Sequence, residues 1–411
     1  MRIAVHDFGG YAFPFQLSGE LARRGYDVVH LYPPELPGPK RIVNRDDSSG
    51  SFTIHPIALP HTFRKYSIAR RLFAHREYAA ALTAAIRAIG CDVVLSANTP
   101  IDIQYQLMND CLRSSIPLVH WIQDIYCLAV KAVLSSKLGP LGTMLAGPFI
   151  TMERRVAERS ASVICITEDF KSYLATHSIH PQRLRVIENW APLNEVTPRP
   201  KASAWSERTG LDLKTVFLYS GTMGMKHNPE LIYELARSFD KHSEVVCGVV
   251  SEGLGRAFLE RKPKAAALRL FDFQPYSCLP EVLATADVLV AVIEPEASRF
   301  SVPSKVFTYM AAGRPVLLAS PAENLAARIV RRADAGIVVD PGDVSAFIHA
   351  AHQLLEDGEL RRRMSANARR YAEAHFKIGP IADAFEKAIF EVTGESTARN
   401  VAVLASASSE I

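Results

Sequence analysis

The chain has 411 residues, 48% hydrophobic and 22% charged, the balance of an ordinary soluble protein with room for about two domains. Its net charge of +4 comes from interspersed acidic and basic residues, which excludes the dense basic face of a nucleic-acid binder. Six scattered cysteines without a Cys-x-x-Cys pair exclude a zinc ribbon or disulfide framework and predict a reducing, cytoplasmic setting.

The chain opens on a short apolar run, Arg2–His6, which predicts a strand; it is too short for a signal peptide. Further strands are predicted at 28–31, 92–96, 118–122 and 162–167, with helices such as 15–24 and 77–89 between them. The most weakly polar stretch, Val130–Met152, is interrupted by Lys131, Lys137, Gly139, Pro140, Gly147 and Pro148. It falls short of the about 20 apolar residues of a membrane span and would lie on a membrane sooner than cross one. A polar, proline-bearing stretch, Ala191–Ser206, marks a boundary. Beyond it, strands are predicted at 215–219, 244–250, 269–273, 288–293, 316–319 and 337–339, again alternating with helices.

Such alternation builds parallel sheets covered on both faces, an α/β fold of two Rossmann-like domains facing a cleft. The expected organisation is 1–195 for the first domain and 196–376 for the second. A helix over 377–393 would return to the first domain, and 394–411, rich in Ser, Ala and Thr, would be a disordered tail. Ligands of open parallel sheets bind beyond the carboxyl ends of the strands, so the loops there carry the chemistry.

Two such loops stand out. After the strand ending at Tyr219, Ser220-Gly221 and a short loop deliver Lys226. A glycine lets backbone approach a phosphate, and a lysine brings a point charge. Downstream, Val302-Pro303-Ser304-Lys305 opens an apolar helix, with Ser304 as expected N-cap and Lys305 beside the positive end of the helix dipole. Together they predict a diphosphate gripped from two sides, with Gly253 of the 251–255 loop nearby. In the first half, Gly9 and Gly10 after the first strand suit close backbone approach to a substrate phosphate or sugar, or simply a tight turn, and Asn98 of the 97–100 loop lies at the same end of the sheet. Asp124, at a strand's carboxyl end, could accept a hydroxyl proton; His120, inside that strand, reads as a packed core histidine. The chain has no Asp-x-Asp and no histidines at ligand spacing, so no metal is expected, and the lysines would neutralise the diphosphate in its place. His61–Tyr78 interleaves five basic residues with aromatics and suits an anionic bilayer or a polyprenyl diphosphate; a solvated helix face would show the same pattern.

From Met1 to about Val392 these features resemble the GT-B glycosyltransferases of family-4 type, in the branch that assembles colanic acid, capsule, exopolysaccharide and lipopolysaccharide. The resemblance rests on Arg185–Trp190 (RVIENW), the Ser220–Lys226 loop, Val302–Arg314 with its Ala-Gly-Arg-Pro exit, and Leu118–Tyr126 (LVHWIQDIY). It implies a retaining transfer of sugar from a nucleotide sugar to a saccharide or lipid-linked saccharide, with Asp124 where relatives often carry histidine. The acceptor could be polyprenyl-diphosphate-linked, with peripheral contact on the inner face of the plasma membrane. One departure stands out. Most members carry two glutamates eight positions apart around the donor helix, and those positions here are Phe300 and Thr308. Glu294 and Glu296 are the nearest substitutes. A nucleotide-sugar 2-epimerase and a non-catalytic nucleotide-sugar-binding subunit remain as alternatives. The dinucleotide fingerprint Gly-x-Gly-x-x-Gly is missing after the first strand.

Overall fold

The computed structural model describes residues 1–35, 51–60, 68–176 and 179–394. By packing, the chain divides into two units, Met1–Glu188 with Ile378–Ile411, and Asn189–Lys377. The division thus falls ahead of the 195/196 boundary expected from the proline-bearing stretch. Residues 61–67 of the basic-aromatic stretch, and 395–411 of the expected tail, lie outside the described residues.

In the first unit, β1 (Arg2–Asp7), α1 (Ala12–Arg23), β2 (Asp27–Tyr32) and β3 (Phe52–Pro56) come first. They are followed by α2 (Ile68–Ile89), β4 (Val93–Ala97), α3 (Ile101–Arg113) and β5 (Leu118–Ile122). Then come α4 (Tyr126–Leu145), α5 (Gly147–Arg159), β6 (Ser162–Cys165), α6 (Glu168–Ala175) and β7 (Leu184–Val186). The sheet is wholly parallel, in the order β3-β2-β1-β4-β5-β6-β7. Strands β4, β5 and β6 are buried along their whole length, as both-face coverage by helices requires. Edge strand β3 is only half-buried, which is why its sequence lacks a strand signature.

In the second unit, α7 (Ala204–Thr209), β8 (Thr215–Ser220), α8 (Pro229–Ser238), β9 (Val245–Val250) and α9 (Leu254–Glu260) come first. Next are β10 (Leu268–Phe271), α10 (Leu279–Thr285), β11 (Val288–Val292), α11 (Pro295–Ser298) and α12 (Lys305–Ala311). The unit closes with β12 (Val316–Ala319), α13 (Leu325–Arg332), β13 (Gly336–Val339), α14 (Val344–Glu356) and α15 (Gly358–His375). Its parallel sheet runs β10-β9-β8-β11-β12-β13, the same winding as the first. Side-chain caps set the helix starts: Asn228 accepts from Leu231 N at 3.2 Å, Asp343 from Ala346 N and Asp357 from Leu360 N at 2.8 Å each. The core packs Phe217, Phe239, Phe347 and Leu354 between sheet and helices, all fully buried. Each such side chain contributes about 1.5–3 kcal/mol of burial.

The last helix, α16 (Ile378–Thr393), packs in the first unit. Its buried stripe is Ala382, Phe385, Ala388 and Ile389, with Ile381 only half-buried. Phe385 meets Trp121 of β5 edge-on at 4.6 Å between ring centroids. Arg24, just after α1, binds Asp383 at 2.7 Å, Glu386, and the Gly379 carbonyl at 2.8 Å. No helix among the described residues is long and apolar enough to cross a membrane.

Candidate active site

Each sheet reverses its strand order once, between β1 and β4 in the first unit and between β8 and β11 in the second. At such a point the loops leave in opposite directions and open a crevice, where doubly wound folds hold their ligands. Nearly all the residues singled out from the sequence fall at these two reversals.

In the second unit β8 ends in Ser220 and turns at Gly221, whose φ of 124° is open only to glycine. A Cβ there would lie 3.2 Å from Nζ of Lys305, so the missing side chain leaves room for that amine. Lys305 comes from the first residue of α12; its Nζ donates to the Tyr219 hydroxyl and lies 3.7 Å from the centre of that ring. The Tyr219 hydroxyl donates in turn to the Thr222 carbonyl at 3.1 Å. Across the reversal, Lys226 Nζ donates to Ser301 Oγ at 3.2 Å, and Glu294 N donates to the Lys226 carbonyl at 2.9 Å.

Tyr309, one turn into α12, ties the helix to the strand end: its hydroxyl accepts from Ser220 N at 3.0 Å and donates to the Ser220 carbonyl at 2.8 Å. Burial, and then the charge of Lys226, hold the Lys305 amine well below its ordinary pKa. Burial followed by both lysines pushes His227 down to about 2, so its ring is neutral and accepts from Gly224 N at 3.0 Å. Neither lysine has a carboxylate partner among the described residues. The second unit therefore brings two amines together with no carboxylate between them, and an anion bound there would favour the charged form of both.

Gly253 precedes α9 with a φ of 99°, and a Cβ on it would lie 3.0 Å from the Met223 carbonyl. It lets the loop after β9 close on the Gly221 loop, where Gly255 N donates to Met223 O at 2.8 Å. Pro303 is buried and Ser304 half-buried beside Lys305. Ser304 does not cap: its backbone is already helical and its side chain makes no capping bond, because α12 begins without the extended turn that a cap at 304 requires. Glu296 is exposed on the short α11. Glu294 is half-buried, and burial followed by the charge of Glu296 raises its pKa. Phe300 is buried, and Thr308 half-buried on α12.

In the first unit the reversal is organised by Asp7, a residue that the motif reading passed over. Its carboxylate, fully buried at the end of β1, accepts from Gly9 N at 3.0 Å, Tyr11 N at 2.6 Å and Asn98 Nδ2 at 2.7 Å. Burial pushes the Asp7 carboxyl up to about 7, against the pull of those donors. Gly9, Gly10 and Asn98 are thus gathered around one side chain. Gly10 and Asn98 both have left-handed backbones, with φ of 63° and 52°. The signal for Asp7 was a carboxylate closing an otherwise apolar strand, directly before two glycines.

Asp124 follows β5, the next strand over, and is exposed. Its charge reaches Tyr11 and also Glu153. Glu153 is buried, raised to about 7 by that burial, and accepts from Tyr126 N at 3.1 Å and Cys127 N at 2.5 Å at the start of α4. His120 is buried and lowered to about 3 by burial, as a core histidine should be. Within the basic-aromatic stretch, Arg70, Phe73 and Arg76 are exposed on α2. Tyr78 instead belongs to the core, its hydroxyl 3.0 Å from His6 Nε2, and His75 is buried against Asp102 at 2.8 Å. No group of three His, Cys, Asp or Glu side chains suited to a metal occurs among the described residues.

Comparison with known proteins matches residues 12–190 to the glycosyl transferase 4-like domain and residues 203–371 to the glycosyl transferases group 1. WcaI of Escherichia coli strain K12, named for glycosyl transfer in colanic acid biosynthesis, is 27% identical over 54% of this chain and 55% of its own. An alpha-D-kanosaminyltransferase of Streptomyces kanamyceticus is 24% identical over 56% of this chain and 60% of its own. The matches thus span little more than half the length of these relatives. Among solved structures, sucrose-phosphate synthase of Thermosynechococcus elongatus superposes with a TM-score of 0.72 at 16% identity, covering 96% of this chain and 100% of that one. WaaG, a glycosyltransferase involved in lipopolysaccharide biosynthesis, gives 0.68 at 17% identity, covering 95% and 100%. With both halves matched by successive domain models and the twin-sheet fold shared, the chain belongs to the GT-B-fold glycosyltransferases of family-4 type.

Proposed function

We propose that the chain moves a sugar from a nucleotide-diphosphate sugar to a saccharide or lipid-linked saccharide acceptor in the assembly of a bacterial surface polysaccharide. The observation that carries this reading is the pair Lys226 and Lys305, drawn together at the β8/β11 reversal with no carboxylate among the described residues to neutralise them. A leaving diphosphate gains negative charge in the transition state, and preplaced cations stabilise that charge more than they stabilise the bound substrate. Gly221 keeps the approach open, and Tyr219 and Ser301 orient the two amines. The proposed reaction is retaining and independent of metal.

On the acceptor side, Asp124 would take the hydroxyl proton, and the Asp7 loop with Gly9, Gly10 and Asn98 would hold the acceptor. A structural neighbour supports a nucleotide-sugar donor: HepE of Anabaena is described in complex with UDP-glucose. The test is turnover of a panel of labelled nucleotide sugars on membrane extract in the presence of EDTA. Transfer of label that the Lys226→Ala and Lys305→Ala variants lose supports the reading. Binding without transfer from any donor would make the chain a nucleotide-sugar-binding subunit instead.

A further inference from the structure

The second unit carries a groove of about 570 Å³ at the opposite end of its sheet from the two lysines. It lies where β11 and β12 begin: Asp287 precedes the first, Gly313 and Arg314 the second, and all three line it. The first half of α15 adds Arg361, Arg362, Ser365 and Arg369. Ligands of a parallel sheet sit beyond the carboxyl ends of its strands, so this groove is separate from the donor crevice. Lys305 opens α12 at one end, whereas Arg369 bonds the carbonyl of Ala311 at the other.

Three of the four guanidiniums are fixed by backbone carbonyls. Arg314 Nη2 donates to Arg199 O at 3.0 Å and Ala284 O at 2.5 Å. Arg361 Nη1 donates to the Leu354 carbonyl and to Leu355 O at 2.7 Å. Arg369 Nη1 donates to Val196 O at 3.1 Å and Ala311 O at 2.7 Å. These bonds hold the groups in place without neutralising them. Arg314, Arg361 and the exposed Arg362 have no carboxylate partner among the described residues. A Cβ on Gly358, the first residue of α15, would lie 3.5 Å from Arg361 Nη2 and 3.7 Å from Arg362 Nη1, so two guanidiniums converge where glycine leaves space. The nearby acids are engaged: Asp287 accepts from Lys201 and from Val216 N at 2.8 Å, and Glu373 from Arg369 Nε at 2.6 Å. Burial holds the Arg314 guanidinium below its ordinary pKa, and its Nε is buried without an acceptor.

The chemistry of the groove selects its ligand. Guanidinium forks already held in position match the oxygens of a phosphate and bind them in pairs. The volume suits a molecule of metabolite size. A lipid surface fits poorly, because between residues 274 and 377 the one exposed large apolar side chain is Val344, which does not line the groove. We propose that this arginine groove binds a small, soluble, phosphate-bearing molecule at a site of its own. The assignment does not depend on the sugar-transfer reading.

The test is calorimetric titration of the full chain with inorganic pyrophosphate, in a Lys226→Ala background that weakens the proposed donor site. Saturable binding is expected. Arg362→Glu, which reverses a charge, and Gly358→Asp, which sets a carboxylate between Arg361 and Arg362, should each lower affinity by at least about tenfold. Arg370→Glu makes the same charge change on an exposed side chain of α15 outside the groove, and should lower it by less than about twofold. Melting temperatures no lower than that of the background will show that the variants fold. Absence of saturable binding, full binding by Arg362→Glu and Gly358→Asp, or an equal loss in Arg370→Glu would overturn the proposal. Binding to phosphatidylglycerol vesicles that Arg362→Glu abolishes, without pyrophosphate binding, would assign the arginines to lipid headgroups and overturn it equally.

Discussion

The amine of Lys305 lies 3.2 Å from the point where a side chain on Gly221 would begin. The two residues are far apart in sequence, yet each fixes what the other can be. The φ of 124° at Gly221 makes any side chain strained, and the amine makes it crowded. Gly221→Ala should therefore lower nucleotide-diphosphate affinity by about tenfold or more and reduce stability by about 1–3 kcal/mol. Paired calorimetry and thermal melts check this; an alanine variant with wild-type affinity would show that the amine can sit elsewhere.

Asp124→Asn keeps the side chain's shape and removes its basicity. Transfer to the acceptor should be abolished, while donor affinity, carried by the second unit, stays nearly unchanged. Donor titration beside an acceptor assay separates these effects. Intact transfer would remove Asp124 from the mechanism.

Asp7 makes a pH-dependent contribution whose sign can be worked out. Its folded pKa is raised from 3.8 to about 7 by burial, so between those values the native chain holds a proton that the unfolded chain has released. That contribution is present at low pH and is lost as pH rises through about 7. Wild type should thus be more stable relative to Asp7→Asn at about pH 5 than at about pH 8. The buried histidines are common to both proteins and cancel in the difference. Melting temperatures across this range check the sign, and a difference between the two proteins that does not change with pH would show that the carboxylate is ionised throughout.

Truncation after Pro380 removes Phe385, Ala388 and Ile389, all fully buried in the first unit. The melting temperature should fall although no proposed site residue is lost. Phe385→Ala alone should cost about 3–5 kcal/mol, since Phe385 packs on Trp121. Denaturant melts check this, and an unchanged midpoint would show that α16 is dispensable.

The alternation of apolar runs and helical periods made the two α/β halves legible, because buried parallel strands such as Val93–Ala97 and Val316–Ala319 read as continuous apolar stretches. Half-buried edge strand β3 and three-residue β7 were not, since short or exposed strands carry little pattern. Spacing along the chain also says nothing about which strands are neighbours, so the two reversals emerge only in three dimensions. For the same reason Asp7 is an ordinary strand-end carboxylate in sequence and becomes a hub only once Asn98 folds beside it. Lys226 and Lys305 were legible as loop and helix-start cations. The Tyr219 hydroxyl that receives the Lys305 amine, and the Tyr309 hydroxyl that pins α12 to the strand end, read as core aromatics. Ser304 had the residue type of a cap without its backbone conformation, which a sequence does not display.

The most direct measurement is calorimetric titration of the wild-type chain with UDP-, GDP-, ADP- and TDP-sugars in EDTA, repeated with Lys226→Ala and Lys305→Ala. Saturable binding of a nucleotide sugar by wild type is predicted, weakened roughly 10- to 100-fold by each substitution, as loss of one charge-assisted contact implies. Binding that appears only when a divalent cation is added, or that both variants retain at full strength, would contradict the account.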